Sequence, residues 1–171
     1  MPLYAIIHAA WPGMPRGGLL AATDDTIEHQ VRFGTLYTVR LARFLFGRVA
    51  ATGGRYVVVG SIAGSRQPSL SVATYSLGKA TLETTVRLLA PELARRRIAV
   101  NAVCPGVVAV GMNKHQNERW YAMQAARVPL GRLCEPDDVV GVVRFLLSPG
   151  AAYQSGSCRR SPRSRRAGGS R

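Results

Sequence analysis

The stretch RYVVVGSIAGSRQPSLSVATYSLGKA, residues 55–80, joins two kinds of pattern across a polar loop. Residues 56–59 are a short apolar run rich in β-branched side chains, the signature of a strand buried on both faces. From residue 73 to about 97 the apolar positions change spacing. Leu77, Leu82, Val86, Leu89 and Leu93 recur at three- to five-residue steps and predict a helix, with Pro91 placed to break or kink its end. A strand that feeds a helix through a loop is half of a βαβ unit, and the neighbouring segments supply the rest. Upstream, LYAIIHAA (3–10) reads as another buried strand. The Gly/Pro-rich loop WPGMPRGG (11–18) follows it, and Thr23, Asp24, Asp25 and Thr26 offer N-caps for a helix over about 27–49. Downstream, RIAVNAVCPG (97–106) is a third buried strand, stopped by Pro105 and Gly106. A polar stretch then leads to EPDDVVGVVRFLLS (135–148), a final helix with Pro136 in its first turn.

Strand and helix thus alternate three times. That order predicts an α/β fold with a parallel sheet and right-handed crossovers. The 171 residues suit one domain, and 47% hydrophobic with 19% charged residues is the composition of a folded chain. No apolar run approaches the ~18–20 residues of a membrane span. Cys104, Cys134 and Cys158 are odd in number and lack metal spacing, which fits reduced thiols in a cytoplasmic protein.

The net charge of +14 is uneven. Residues 157–171, SCRRSPRSRRAGGSR, hold six arginines and no acid, while residues 1–156 carry 17 basic against 9 acidic side chains. The reading is a folded unit at 1–156 and an Arg-rich, solvated, disordered tail at 157–171. Without a recognition fold or an aromatic platform, that tail argues poorly for a nucleic-acid partner.

Tyr75 and Lys79 stand four apart on the predicted helix and share a face. A phenol of pKa ~10 is a poor proton donor or acceptor at neutral pH, and a nearby ammonium favours phenolate and lowers that value. Alone, the pair is unspecific. Ser61, at the carboxyl end of the preceding strand, and Pro105-Gly106, at the end of the next, add to it at the edge where ligands of α/β sheets bind.

In this combination the chain resembles the short-chain dehydrogenase/reductase family over residues 3–156, through GSIAG (60–64), YSLGK (75–79), RIAVNAVCPG (97–106) and residues 127–148, with Ser61 fourteen residues before Tyr75. The resemblance implies a Rossmann-like, doubly wound parallel sheet lacking the family's first βαβ unit, and an altered C-terminal end. It implies NAD(P)-dependent hydride transfer between an alcohol and a ketone or aldehyde, of the carbonyl or 3-oxoacyl type. Tyr75 would be the general acid/base, Lys79 would tune it and bind the nicotinamide ribose, and Ser61 would hold the substrate carbonyl. Ala10, Pro105, Gly106 and Val108 would lie near the cofactor. A homo-oligomer, dimer or tetramer, and a cytoplasmic location follow from the same resemblance.

Several positions depart from the family. The TGxxxGxG turn that cradles the pyrophosphate is not in the chain, and GMPRGG (13–18) follows the wrong strand. The Asn-Asn-Ala-Gly stretch appears as HAAW (8–11), where only Ala10 matches. The tetrad asparagine falls near Gln30 or Val31, and a threonine often found near the nicotinamide appears as Val110. The alternative reading is therefore an inactive fragment that cannot bind the cofactor properly. His8, at a strand end, is a candidate ligand, and Trp11, Trp120 and Tyr121 are candidates to border a substrate pocket. No metal site is expected.

Overall fold

In the computed structural model, residues 2–160 are described. A four-stranded parallel sheet runs β1 (Ala5–His8), β2 (Gly54–Val59), β3 (Ile98–Cys104) and β4 (Cys158–Arg160), in that spatial order. The fold is the expected α/β, Rossmann-like, doubly wound arrangement. On one face, Tyr56 and Val58 of β2, with Ile98, Val100 and Ala102 of β3, meet Leu45 of helix α2 (Thr38–Phe46) and Leu82, Val86 and Leu93 of helix α3 (Ala73–Ala94). On the other, Val57 and Val103 meet Leu146 of helix α5 (Pro136–Leu147). The alternation of sides follows from the two-residue period of a strand.

Local chemistry fixes the helix starts. Thr23 caps helix α1 (Asp24–Arg32) by accepting from the Thr26 amide at 3.3 Å. Glu135 and Asp138 form a reciprocal capping box at the start of α5, with Pro136 in the first turn. The long helix expected over about 27–49 is interrupted. Between α1 and α2 the residues Phe33–Tyr37 form a wider π-type turn, and Thr35 Oγ1 donates to the Val31 carbonyl at 2.7 Å. Here Gly34 lies against the Gly78 carbonyl and Thr81 of α3, and a Cβ on Gly78 would stand 2.6 Å from the Gln30 carbonyl. The two helices cross on glycine because nothing larger fits.

Other expectations are corrected. β1 is not buried on both faces: it pairs with β2 along one edge only, and Ile7 is 51% exposed. Pro91 does not end α3, which runs on to Ala94 with the proline on its exposed side. The polar stretch after β3 contains helix α4 (Glu118–Arg127), capped by Asn117, and the sheet has a fourth strand. β4 falls within the segment read as tail; residues 161–171 of that segment lie outside the described residues. No helix among the described residues is long and apolar enough to cross a membrane.

Candidate functional site

The carboxyl ends of β2 and β3 open on a cavity of about 1090 Å³. The Gly60 amide donates to the Val103 carbonyl at 2.7 Å, and the Ile62 amide to the Pro105 carbonyl at 3.0 Å, so the two strand-end loops are tied together. Gly60 is required by the close approach of β3, because a Cβ there would stand 2.7 Å from Cys104 Sγ. Ser61 follows directly. Its Oγ accepts from the Ala63 amide at 3.1 Å, and its hydroxyl stands close enough to the Tyr75 phenol to oppose the rise in that group's pKa. The loop between β2 and α3 is held from below, since Ser65 Oγ donates to the carboxylate of buried Glu83 at 2.5 Å and the Ser69 amide donates to Ser76 Oγ at 3.1 Å.

Tyr75 and Lys79 do share a face of α3 and are both buried, at 6% and 3% exposure. Lys79 Nζ donates to the Val59 carbonyl at 2.9 Å and stands 5.7 Å from the Tyr75 ring centroid. Burial dominates the titration of both. It pushes Lys79 down to about 7, against a smaller opposing effect of the Cys104 thiol. It raises the Tyr75 phenol, with the Ser61 hydrogen bond opposing and Cys104 adding to the rise. The expectation that Lys79 holds Tyr75 below the ordinary phenol value is therefore not met in the chain alone. An ammonium stripped of water is itself reluctant to stay charged.

Trp11 supplies what the sequence did not announce. Its ring lies 3.7 Å from Lys79 Nζ and meets the Tyr75 ring edge-on at 5.9 Å. Buried Gln30, 2% exposed, fixes the indole by accepting from Trp11 Nε1 at 2.9 Å, and donates to the Gly13 carbonyl at 3.3 Å. Gln30 thus acts on Lys79 through Trp11. A cation–π contact is tertiary, so its signal in the sequence was only the aromatic in HAAW. His8 is buried behind them. Its Nδ1 lacks a hydrogen-bond partner, and its pKa is lowered by burial and then by Lys79. Among the described residues no group of histidine, cysteine or acid side chains is placed to hold a metal.

Of the residues singled out from the sequence, Ser61, Tyr75, Pro105, Gly106 and Trp120 line the cavity. Lys79 lies behind Tyr75. Ala10 is exposed outside the cavity, and Val107 lines it in place of Val108, whose carbonyl accepts from Asn113 Nδ2 at 3.0 Å. Tyr121 stacks edge-on with Trp120 and donates to the Asn113 carbonyl at 2.6 Å.

Comparison with known proteins agrees with this architecture. A family model described as enoyl-(acyl carrier protein) reductase matches residues 4–159. Protein FixR of Bradyrhizobium diazoefficiens is 34% identical over 161 residues, covering 91% of this chain and 57% of the relative. The 3-oxoacyl-[acyl-carrier-protein] reductase FabG of Pseudomonas aeruginosa is 34% identical over 159 residues, covering 91% of this chain and 62% of the relative. The chain therefore spans less than two thirds of the length of these two relatives. Among solved structures, the reductase LugOII superposes with a TM-score of 0.83 at 22% identity, covering 93% of this chain and 62% of that one. The angucycline C-6 ketoreductase LanV, solved with bound NADP, superposes with a TM-score of 0.82 at 24% identity, covering 93% and 61%. Matched over residues 4–159 and alike in fold, the chain belongs to the short-chain dehydrogenase/reductase family.

Proposed function

We propose that the chain carries the reacting groups of an NAD(P)-dependent oxidoreductase that interconverts an alcohol and a ketone or aldehyde, with Tyr75 as general acid/base. The observation that supports it is the Ser61–Tyr75 hydroxyl pair on the cavity wall, with Lys79 behind it on the same helix. Ser61 orients a carbonyl oxygen by hydrogen bonding. Tyr75, kept protonated at neutral pH by its raised pKa, gives its proton to that oxygen during reduction.

Lys79 fits the ribose end of a nicotinamide cofactor. One of its three N–H donors is used on Val59 and its other contacts are with the Trp11 and Tyr75 rings, which leaves donors that, by the family resemblance, would take the ribose hydroxyls. When bound, the nicotinamide supplies the hydride. Lys79, Tyr75, Pro105 and Gly106 would hold that end of it. Because Trp11 covers Lys79, a ribose held there would take the place of the indole on the ammonium. The same family reading extends to a cytoplasmic homo-oligomer, a dimer or tetramer, for which exposed Phe44 on α2 and Leu88 on α3 are candidate contacts.

The test is NADH and NADPH consumption against a broad carbonyl panel, with Tyr75→Phe alongside. Expected is turnover that falls by roughly 10²–10⁴-fold in the variant. No consumption with any compound, or an unchanged rate in Tyr75→Phe, rejects the reading.

A further inference from the structure

The charge of the cavity points to the substrate class. Arg16 in the loop after β1, Arg66 in the loop after β2, Arg127 at the end of α4, Arg132 before α5 and Arg159 in β4 all line it. Five arginines from five separate segments converge on one concavity. Of the nine carboxylates in the chain only Asp138 lines the same space, and it is already bound by Arg132 in two hydrogen bonds of 2.6 and 2.8 Å. Arg159 donates to Gln154. Arg16, Arg66 and Arg127 have no ion pair among the described residues. Arg66 is half-buried, and its Nε is shielded from water without an acceptor. A shielded donor left unpaired is unfavourable, and an acceptor delivered by a ligand relieves that loss. The loop that carries Arg66 is anchored at Glu83 and Ser76, so its guanidinium is held beside the cavity.

We propose that this cavity selects carbonyl substrates bearing an anionic group, a carboxylate or a phosphate, and that Arg66 with Arg127 and Arg16 binds that group while the carbonyl meets Ser61 and Tyr75. The proposal rests on the reading of Ser61 and Tyr75 as the reacting pair. The planar guanidinium fork matches both oxyanions, and a concave wall of one charge sign concentrates its field on them. Ile62, Val72, Met112 and Val142 give the same cavity an apolar lining for the carbon chain between the two ends. A single carrier of both features explains why the arginines surround a tyrosine that does not itself need a charge.

Calorimetric binding without cofactor tests this at constant ionic strength with two matched pairs. Acetoacetate is set against ethyl acetoacetate, and dihydroxyacetone phosphate against dihydroxyacetone. At least one anion binds about tenfold tighter than its neutral partner, as a charge-assisted hydrogen bond implies. Which pair shows the larger ratio tells carboxylate from phosphate. Arg66→Gln and, separately, Arg127→Gln reduce the ratio towards one, while Arg95→Gln at the far end of α3 leaves it unchanged. Thermal melting by circular dichroism confirms that each variant is folded, and exposed Arg127 serves if Arg66→Gln is not. Tyr75→Phe keeps the anion preference; a preference found in a protein that turns over no carbonyl, or whose turnover Tyr75→Phe leaves unchanged, rejects the reductase reading alone, whereas turnover that Tyr75→Phe abolishes without any anion preference rejects this one alone. Equal affinities within both pairs, no binding of either anion, an undiminished ratio in the folded arginine variants, or an equal loss in Arg95→Gln overturns the proposal.

Discussion

Replacing Lys79 by methionine tests how deeply the ammonium is desolvated. The side chain is 3% exposed, and burial brings its pKa from 10.5 down to about 7. At ~1.36 kcal/mol per pH unit, keeping this lysine charged in the fold costs about 5 kcal/mol relative to the unfolded chain. Since the folded value is the lower one, the unfolded chain holds the extra proton throughout the interval between about 7 and 10.5. Stability therefore rises with pH across that interval, and the penalty is fully present below pH 7. From pH 7 to 9 the lysine alone should add about 2 kcal/mol. Urea unfolding of both proteins at pH 7, 8 and 9, at fixed ionic strength, isolates this contribution, because the thiols and the terminal amine titrate in both. The wild-type curve should gain about 2 kcal/mol over the variant's. Parallel curves would show that water reaches Nζ and that neither the Trp11 face nor the Val59 carbonyl encloses it.

Other consequences are checked more simply. Gly34→Ala forces a methyl against the Gly78 carbonyl and Thr81, and should lower stability by roughly 1–3 kcal/mol in urea unfolding; a change within experimental error means the α1–α3 crossing is looser than described. Alcohol oxidation needs the phenolate of Tyr75, whose pKa is raised, so its rate should climb with pH through and beyond neutrality while carbonyl reduction does not; matching pH profiles in both directions would argue against Tyr75 as the proton carrier. In Trp120→Phe, where Trp11 is the one remaining indole, NADPH should still change the tryptophan emission, and an unchanged emission despite binding places the cofactor away from Lys79.

The legible part of this protein was the part written in local pattern. β3 reads as a strand because all seven of its residues are buried, and Tyr75 with Lys79 reads as a pair because helical spacing alone puts them on one face. Thr23 and Pro136 announce helix starts by chemistry that operates within one turn. What was missed depends on partners distant in sequence. α4 has no buried residue, so its helicity leaves no apolar stripe to count. The shared helix face also suggested, from the sequence, that the Lys79 ammonium would lower the pKa of Tyr75. The pocket that brings them together instead removes the water that a charged lysine needs.

The strand β4 has three residues, and its position is set by a side chain on its neighbour. Asn101 of β3, 1% exposed, donates through Nδ2 to the Gln154 carbonyl at 2.7 Å. Its Oδ1 accepts from the Ser157 amide at 3.1 Å and from Ser157 Oγ at 2.9 Å. So short a strand has little pairing energy with which to choose its own alignment, and side chains alternate between faces. A slip of one residue would turn Cys158 away from the core it packs against and drive the Arg159 guanidinium into that core. Asn101 thus works as an index pin: by engaging the chain just ahead of β4, it decides that a thiol faces inward and that an arginine reaches the rim of the cavity.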